Sequence, residues 1–189
     1  MLQILGITSG LLAIVAVVPY IRDIIKKTTR PERASWLIWT VLGGIAFFSQ
    51  LAKGATNSLW MTALSTLCVL TVFLLSLKHG EGGLVKRDIV ALLIAFLGIA
   101  LWYFTKDATI ALLIVIGVDL SGSVLTIIKS YRDPESETLS TWILASISGL
   151  FGTLSVGSFS WVLLIYPLYI LLANMAVVIA ISLGKKHAR

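Results

Sequence analysis

The sequence predicts an all-α membrane protein with seven transmembrane helices, arranged as two parallel three-helix repeats joined by a linker helix. Three observations carry that reading. Of 189 residues, 58% are hydrophobic and only 13% charged, with a mean hydropathy of +0.97; a soluble domain is nearer one half apolar and a quarter charged. Seven apolar stretches, at 4–22, 35–53, 58–78, 88–104, 108–128, 139–156 and 160–183, each approach the length that crosses a bilayer, roughly 20 residues for a hydrocarbon core of about 30 Å. Finally, Ile24, Ile25, Lys26, Pro31 and Glu32 recur 103 positions later as Ile127, Ile128, Lys129, Pro134 and Glu135. The second loop is three residues longer, and at an offset of 106 Trp36 meets Trp142, Gly43 meets Gly149 and Ser49 meets Ser155. Such self-similarity marks an internal repeat.

Each span adds its own information. Span one lacks a basic leader and an Ala-x-Ala cleavage site, so it is expected to stay in the mature protein; it ends in Pro19-Tyr20 before a basic loop. Span two opens on Ser35-Trp36 and carries the small residues Gly43, Gly44, Ala46 and Ser49. Span three holds Ser65 and the single cysteine, Cys68, which has no partner for an internal disulfide. Span four belongs to neither repeat. Three spans alone would return the chain to the wrong side, and one extra crossing lets both repeats share an orientation about an axis along the membrane normal. Span five contains Asp119, span six a run of small residues from Ser146 to Ser155, and span seven Asn174. The expected divisions are therefore a first repeat at 1–80, a linker helix at 81–106 and a second repeat at 107–189.

Charge sets the expected orientation. With the amino terminus outside, thirteen of the fifteen Lys and Arg residues fall on the inner side, and only Lys53 and Lys106 fall outside. That is the positive-inside pattern, and it accounts for the basic excess without a nucleic-acid partner. Trp60, Trp102, Tyr103 and Trp161 fall at outer span ends and Trp36 and Trp142 at inner ends, all expected as interfacial anchors. The expected location is a bacterial cytoplasmic membrane, with the carboxyl terminus in the cytoplasm.

The three-plus-one-plus-three order, the outer amino terminus and the Pro19-Tyr20 pair before a basic loop resemble the PQ-loop superfamily. That group includes the SWEET and SemiSWEET sugar transporters and the cystinosin-like amino-acid exporters. The resemblance implies two three-helix bundles around a solute pathway that opens alternately to each side. Residues depart from the pattern: Tyr20 stands in place of the name-giving Gln, and Gly122-Ser123 replaces the second Pro-Gln pair. Ser35-Trp36 and Thr141-Trp142 stand where SWEET proteins have a proline. The SWEET pocket positions fall near Ser65, Leu168 and Ala46, so a sugar substrate does not carry over. Asp119-Leu120-Ser121-Gly122 instead looks like the start of the second cystinosin-like motif, whose acidic residue the resemblance associates with proton coupling.

The residues themselves single out a pathway. Asp119 lies midway along span five, and a charged side chain at bilayer depth costs at least about 2.5 to 3.5 kcal/mol, so it normally faces a bundle interior or a watery cavity. Helical spacing puts Asp119, Gly122, Ser123 and Thr126 on one face. Asn174 offers two donor hydrogens and an acceptor to a hydroxylated or zwitterionic solute. Ser65, Trp39 and Ser146 complete the candidate substrate and proton pathway, and Pro19 and Gly122 are candidate hinges. The competing reading makes the same polar groups interhelical glue and the glycines close-packing positions.

No metal-ligand cluster or phosphate loop is present, so no enzyme, metal or cofactor is expected. The expected function is transport of a small polar organic solute by alternating access, coupled to protons through Asp119. Its partners are the solute, the bilayer and protons, and a monomer is sufficient although a homo-oligomer is compatible. The alternatives are a receptor or cargo-binding protein of the same fold, and a structural subunit.

Overall fold

The computed structural model describes residues 1–27, 31, 33–80 and 82–187. They form α1 (Leu2–Ile25), α2 (Arg33–Ala52), α3 (Leu59–His79), α4 (Lys86–Thr105), α5 (Ala108–Arg132), α6 (Leu139–Leu154) and α7 (Trp161–His187), with a 3-10 turn at Pro134–Ser136. Five of them, α1, α2, α3, α5 and α7, are long and apolar enough to cross a membrane; the apolar part of α4, Leu92–Thr105, and all of α6 are shorter. The outward surface agrees with that composition, since Val18, Leu67, Leu74, Leu93, Phe96 and Phe104 are each more than half exposed. The chain is an all-helical, membrane-embedded protein.

Local chemistry explains where the helices stop. Lys27 and Lys106 end α1 and α4 in the left-handed conformation, with φ of 61° and 58°. The segment expected as 139–156 ends as a helix at Leu154, because Gly157 soon follows with a φ of 72° that suits glycine. α7 runs past the expected 183 to His187 and carries Lys185, Lys186 and His187 in its last turn, where cations meet the negative end of the helix dipole. Arg33 ties the start of α2 to the end of α3. Its guanidinium donates to the carbonyls of Ser76 at 3.0 Å, Gly80 at 2.7 Å and Gly82 at 3.0 Å, fixing the chain as it leaves α3.

In the first half, α3 packs on both α1 and α2; in the second, α7 packs on both α5 and α6. Between the halves, α1 lies against α6 and α2 against α5, while α4 rests on α5 and α2. Exchanging α1, α2 and α3 for α5, α6 and α7 maps each contact onto another, those of α4 excepted. Glycines at the same repeat position allow a close approach in each half. A Cβ on Gly43 would lie 2.6 Å from Thr66 Oγ1 on α3, and one on Gly149 would lie 2.7 Å from the Leu171 backbone nitrogen on α7. Leu42, Ile45 and Ala46 of α2 join Ala95 of α4 and Ala111, Leu112 and Val115 of α5 in a buried core.

The α2–α3 and α4–α5 connections meet at one end, where Lys53 Nζ and Asp107 Oδ1 form a 2.5 Å ion pair. Asp107 also accepts the Thr109 backbone N–H at 3.0 Å. At the other end, the basic end, Lys185 pairs with Glu135 at 3.2 Å.

Two expectations follow. The Gly149→Ala methyl meets backbone that cannot rotate away, so the variant should lose about 1–3 kcal/mol of stability, whereas Gly44→Ala, with nothing within 4 Å of its Cβ, should be neutral or slightly stabilising; thermal unfolding in detergent compares them. The Lys53 ammonium and the Thr109 N–H together hold the Asp107 carboxyl at about 2, below its usual 3.8. A depressed carboxyl stabilises the fold above the unfolded-state value and loses that contribution as pH falls through the folded one. Stability measured from about pH 4 down to about pH 2 should therefore fall less steeply in Asp107→Asn than in the wild type.

Candidate functional site

Halfway along α5 the apolar run is broken on one face by Asp119, Ser123 and Thr126. All three line a cavity of about 610 Å³ between the two halves, built from α1, α2, α3, α5, α6 and α7. Asp119 as a residue is partly covered and lines the cavity. Its Oδ2 accepts hydrogen bonds from the Tyr169 hydroxyl of α7 and from Ser123 Oγ at 3.4 Å. The Ser123 and Tyr169 oxygens stand 3.2 Å apart, close enough for one hydroxyl to turn to the other in place of the carboxylate, and the Trp39 indole faces the same carboxyl from α2. A carboxyl that lines a cavity and has two hydroxyl donors can take up a proton or face a solute.

Asn174 donates through Nδ2 to Ile170 O at 2.6 Å on its own helix, leaving its carbonyl oxygen and a second N–H for other partners. Thr126 Oγ1 donates to Gly122 O at 3.2 Å. Ser65 and Trp39 line the same cavity, so six residues of the expected pathway (Asp119, Ser123, Thr126, Asn174, Ser65 and Trp39) share it. Ser146 is not among the lining residues; it is buried and donates to Trp142 O at 2.8 Å. Ser148, two positions on, lines the cavity instead. Pro19 sits within the continuous run of α1, and a Cβ on Gly122 would meet nothing within 4 Å, so packing alone does not require glycine there.

Trp36 and Trp142, expected as interfacial anchors, both line the cavity. Depth along a span follows from sequence position, whereas the direction a ring takes around the helix depends on packing. Tyr20, Trp36 and Trp39 form a row of rings with successive centroids 5.2 Å apart, and Trp142 Nε1 donates to Glu137 Oε2 at 3.1 Å. Sequence reasoning also passed over Tyr166, Tyr169 and Glu137. Tyr166, Ile170, Ala173, Asn174 and Val177 follow helical spacing and all line the cavity; that spacing, taken outward from Asn174, was the available signal for Tyr166.

The cavity reaches the basic end, where Ser35, Glu137, Thr138 and Thr141 border it. Past Met61 and Ser148 the opposite end is filled. Ser9 Oγ donates to Ser148 O at 2.6 Å and Ser148 Oγ to Ser9 O at 2.8 Å, joining α1 to α6. A Cβ on Gly152 would meet Met61 Sδ at 2.4 Å, and one on Gly6 would meet Asn57 O at 2.1 Å.

Among the described residues no group of three His, Cys, Asp or Glu side chains is placed to hold a metal ion. No family model, curated protein or solved structure matches the chain.

Water should enter this cavity and stop at the serine pair. In a Cys68→Ala background, cysteines at Ser65 and Asn174 should react with a small water-soluble methanethiosulfonate in detergent, while one at Ser9 should stay unmodified. Mass spectrometry of the intact protein reads both outcomes, and rapid modification at Ser9 would contradict the seal.

Proposed function

We propose that this chain is a membrane transporter that moves a small polar organic solute by alternating access, with Asp119 coupling the movement to protons. The observation that carries the reading is a largely apolar cavity between the two halves into which a carboxyl and several hydroxyl and amide groups are set, bounded at one end by tight helix packing. On this reading all seven helices cross the bilayer. At 1.5 Å per residue the 20 residues of α4 reach about 30 Å and the 16 of α6 about 24 Å, and turn residues beyond Leu154 add to α6.

The exchange symmetry of the helix contacts supports two parallel repeats with α4 as the linker, which is the arrangement implied by the resemblance to the PQ-loop superfamily. Placing the basic end in the cytoplasm then puts the amino terminus outside, and the cavity faces inward. Ser9 and Ser148, with Gly6 and Gly152 beside them, belong to the contacts that must separate for the outward-facing state. Proton coupling needs a group that water reaches in one state and that exchanges a proton there. Asp119 meets that condition through the cavity, with Tyr169 and Ser123 ready to donate to its ionised form. A gradient of one pH unit is worth about 1.4 kcal/mol, which supports tenfold accumulation for each proton moved.

The test is transport by purified protein in liposomes under an imposed pH gradient. Asp119→Asn keeps the side-chain size and removes the titration. It should retain wild-type melting behaviour and lose gradient-driven accumulation. Undiminished accumulation by a well-folded variant would overturn the coupling role. Saturable ligand binding with no flux in the wild type would point to a receptor or cargo-binding protein instead.

A further inference from the structure

We infer that the solute is a small organic cation carrying an ammonium or guanidinium group, held between the Asp119 carboxylate and the aromatic wall of the cavity. The inference rests on the transport reading for its context and on the cavity's own chemistry for its content. Among the described residues two carboxyl groups line the cavity, Asp119 at mid-depth and Glu137 at the basic end, and no Lys, Arg or His does. Of the described basic groups at that end, Lys27, Lys78 and His79 border a separate depression of about 330 Å³.

That imbalance separates solute classes. An anion or the carboxylate of a zwitterion would find no cationic side chain on the described lining, and taking it out of water unpaired is costly. A neutral polyol would satisfy hydroxyl and amide partners but leave an ionised Asp119 without a counter-charge. A monocation supplies that counter-charge and exchanges with a proton at one group, so the same carboxyl serves binding and coupling.

The walls suit the same ligand. The Tyr20, Trp36 and Trp39 rings, 5.2 Å apart in sequence, lead from the basic end toward Asp119, and aromatic faces attract cations within about 6 Å of the ring centre. Glu137, held by Trp142 at 3.1 Å, borders the start of that path. A volume of about 610 Å³ lies within the ordinary range for small-molecule sites.

The experiment measures thermal stabilisation and binding of purified protein with choline, tetramethylammonium, guanidinium, 3,3-dimethylbutan-1-ol (the neutral carbon analogue of choline) and glucose, followed by choline and glucose uptake into liposomes. At least one of the three cations should raise the melting temperature, and choline should do so more than its neutral analogue at equal concentration. Asp119→Asn should weaken binding of the stabilising cation at least tenfold and Glu137→Gln to a smaller extent, while Asp107→Asn, on the outer connection, should leave it unchanged. Should Asp119→Asn fail to fold, the wild-type contrast between choline and its analogue decides. Equal stabilisation by the analogue, or binding by none of the three cations, would overturn the assignment. Saturable glucose uptake without cation binding would overturn it and leave the transport reading standing. Cation binding that requires Asp119 but gives no choline flux would keep the cation site and remove transport.

Discussion

An ionisable carboxyl halfway along an apolar helix is the constraint on which the rest of this structure turns. Asp119 must be solvated or hydrogen-bonded at a depth where exposure to lipid costs at least about 2.5 to 3.5 kcal/mol. The fold answers with the Tyr169 hydroxyl, the Ser123 hydroxyl and one open side on a cavity. That answer fixes more than a side chain. It sets the rotation of α7 so that Tyr169 faces α5, and it turns the Ser123 and Thr126 face of α5 inward. It also requires space between the halves that a purely apolar bundle would have filled. α3 and α7, each packed between two neighbours, then carry the walls of that space.

The scaffold and its polar equipment follow different rules. Helix contacts and the close-packing glycines Gly43 and Gly149 recur in both halves, as expected where packing geometry alone is at stake. The charged network does not recur. At the repeat offsets the counterparts of Asp119 and Tyr169 are Ala16 and Ala63, and the counterpart of Trp39 is Ala145. A symmetric frame tolerates chemical divergence in its centre because the frame depends on volume and backbone approach, whereas the cavity depends on donors, acceptors and charge. On the transporter reading, the second half supplies the titratable group and the first half most of the aromatic wall.

Much of this was legible in the chain. Helix positions follow from apolar length, and six of the cavity residues are legible because a polar side chain in an apolar span is rare enough to mark a facing surface. The limits have physical causes. Ser146 and Ser148 lie about 200° apart around a helix, and nothing in a run of small residues says which of the two faces inward. Tyrosine suits lipid interfaces, cores and cavities alike, so Tyr169 gave no sign of its bond to Asp119. Trp36 and Trp142 sit at a depth shared by lipid anchors and cavity mouths. Glu137 lies just outside α6, where a charge ordinarily reads as solvated. Its place at the cavity follows from the 3-10 turn at Pro134–Ser136, which the sequence pattern does not signal.

On the transporter reading the two halves rock about the Asp119 cavity. The most direct measurement is pulsed electron-spin distances in lipid nanodiscs, using one label pair at Thr56 and Phe159 on the end closed by Ser9 and Ser148, and another at Lys78 and Glu135 on the basic end. The account predicts two populations whose distances change in opposite senses, with the first pair lengthening as the second shortens when pH or a bound solute shifts the balance. One population with both distances unchanged across pH and solute, in protein that is shown to be folded, would contradict it.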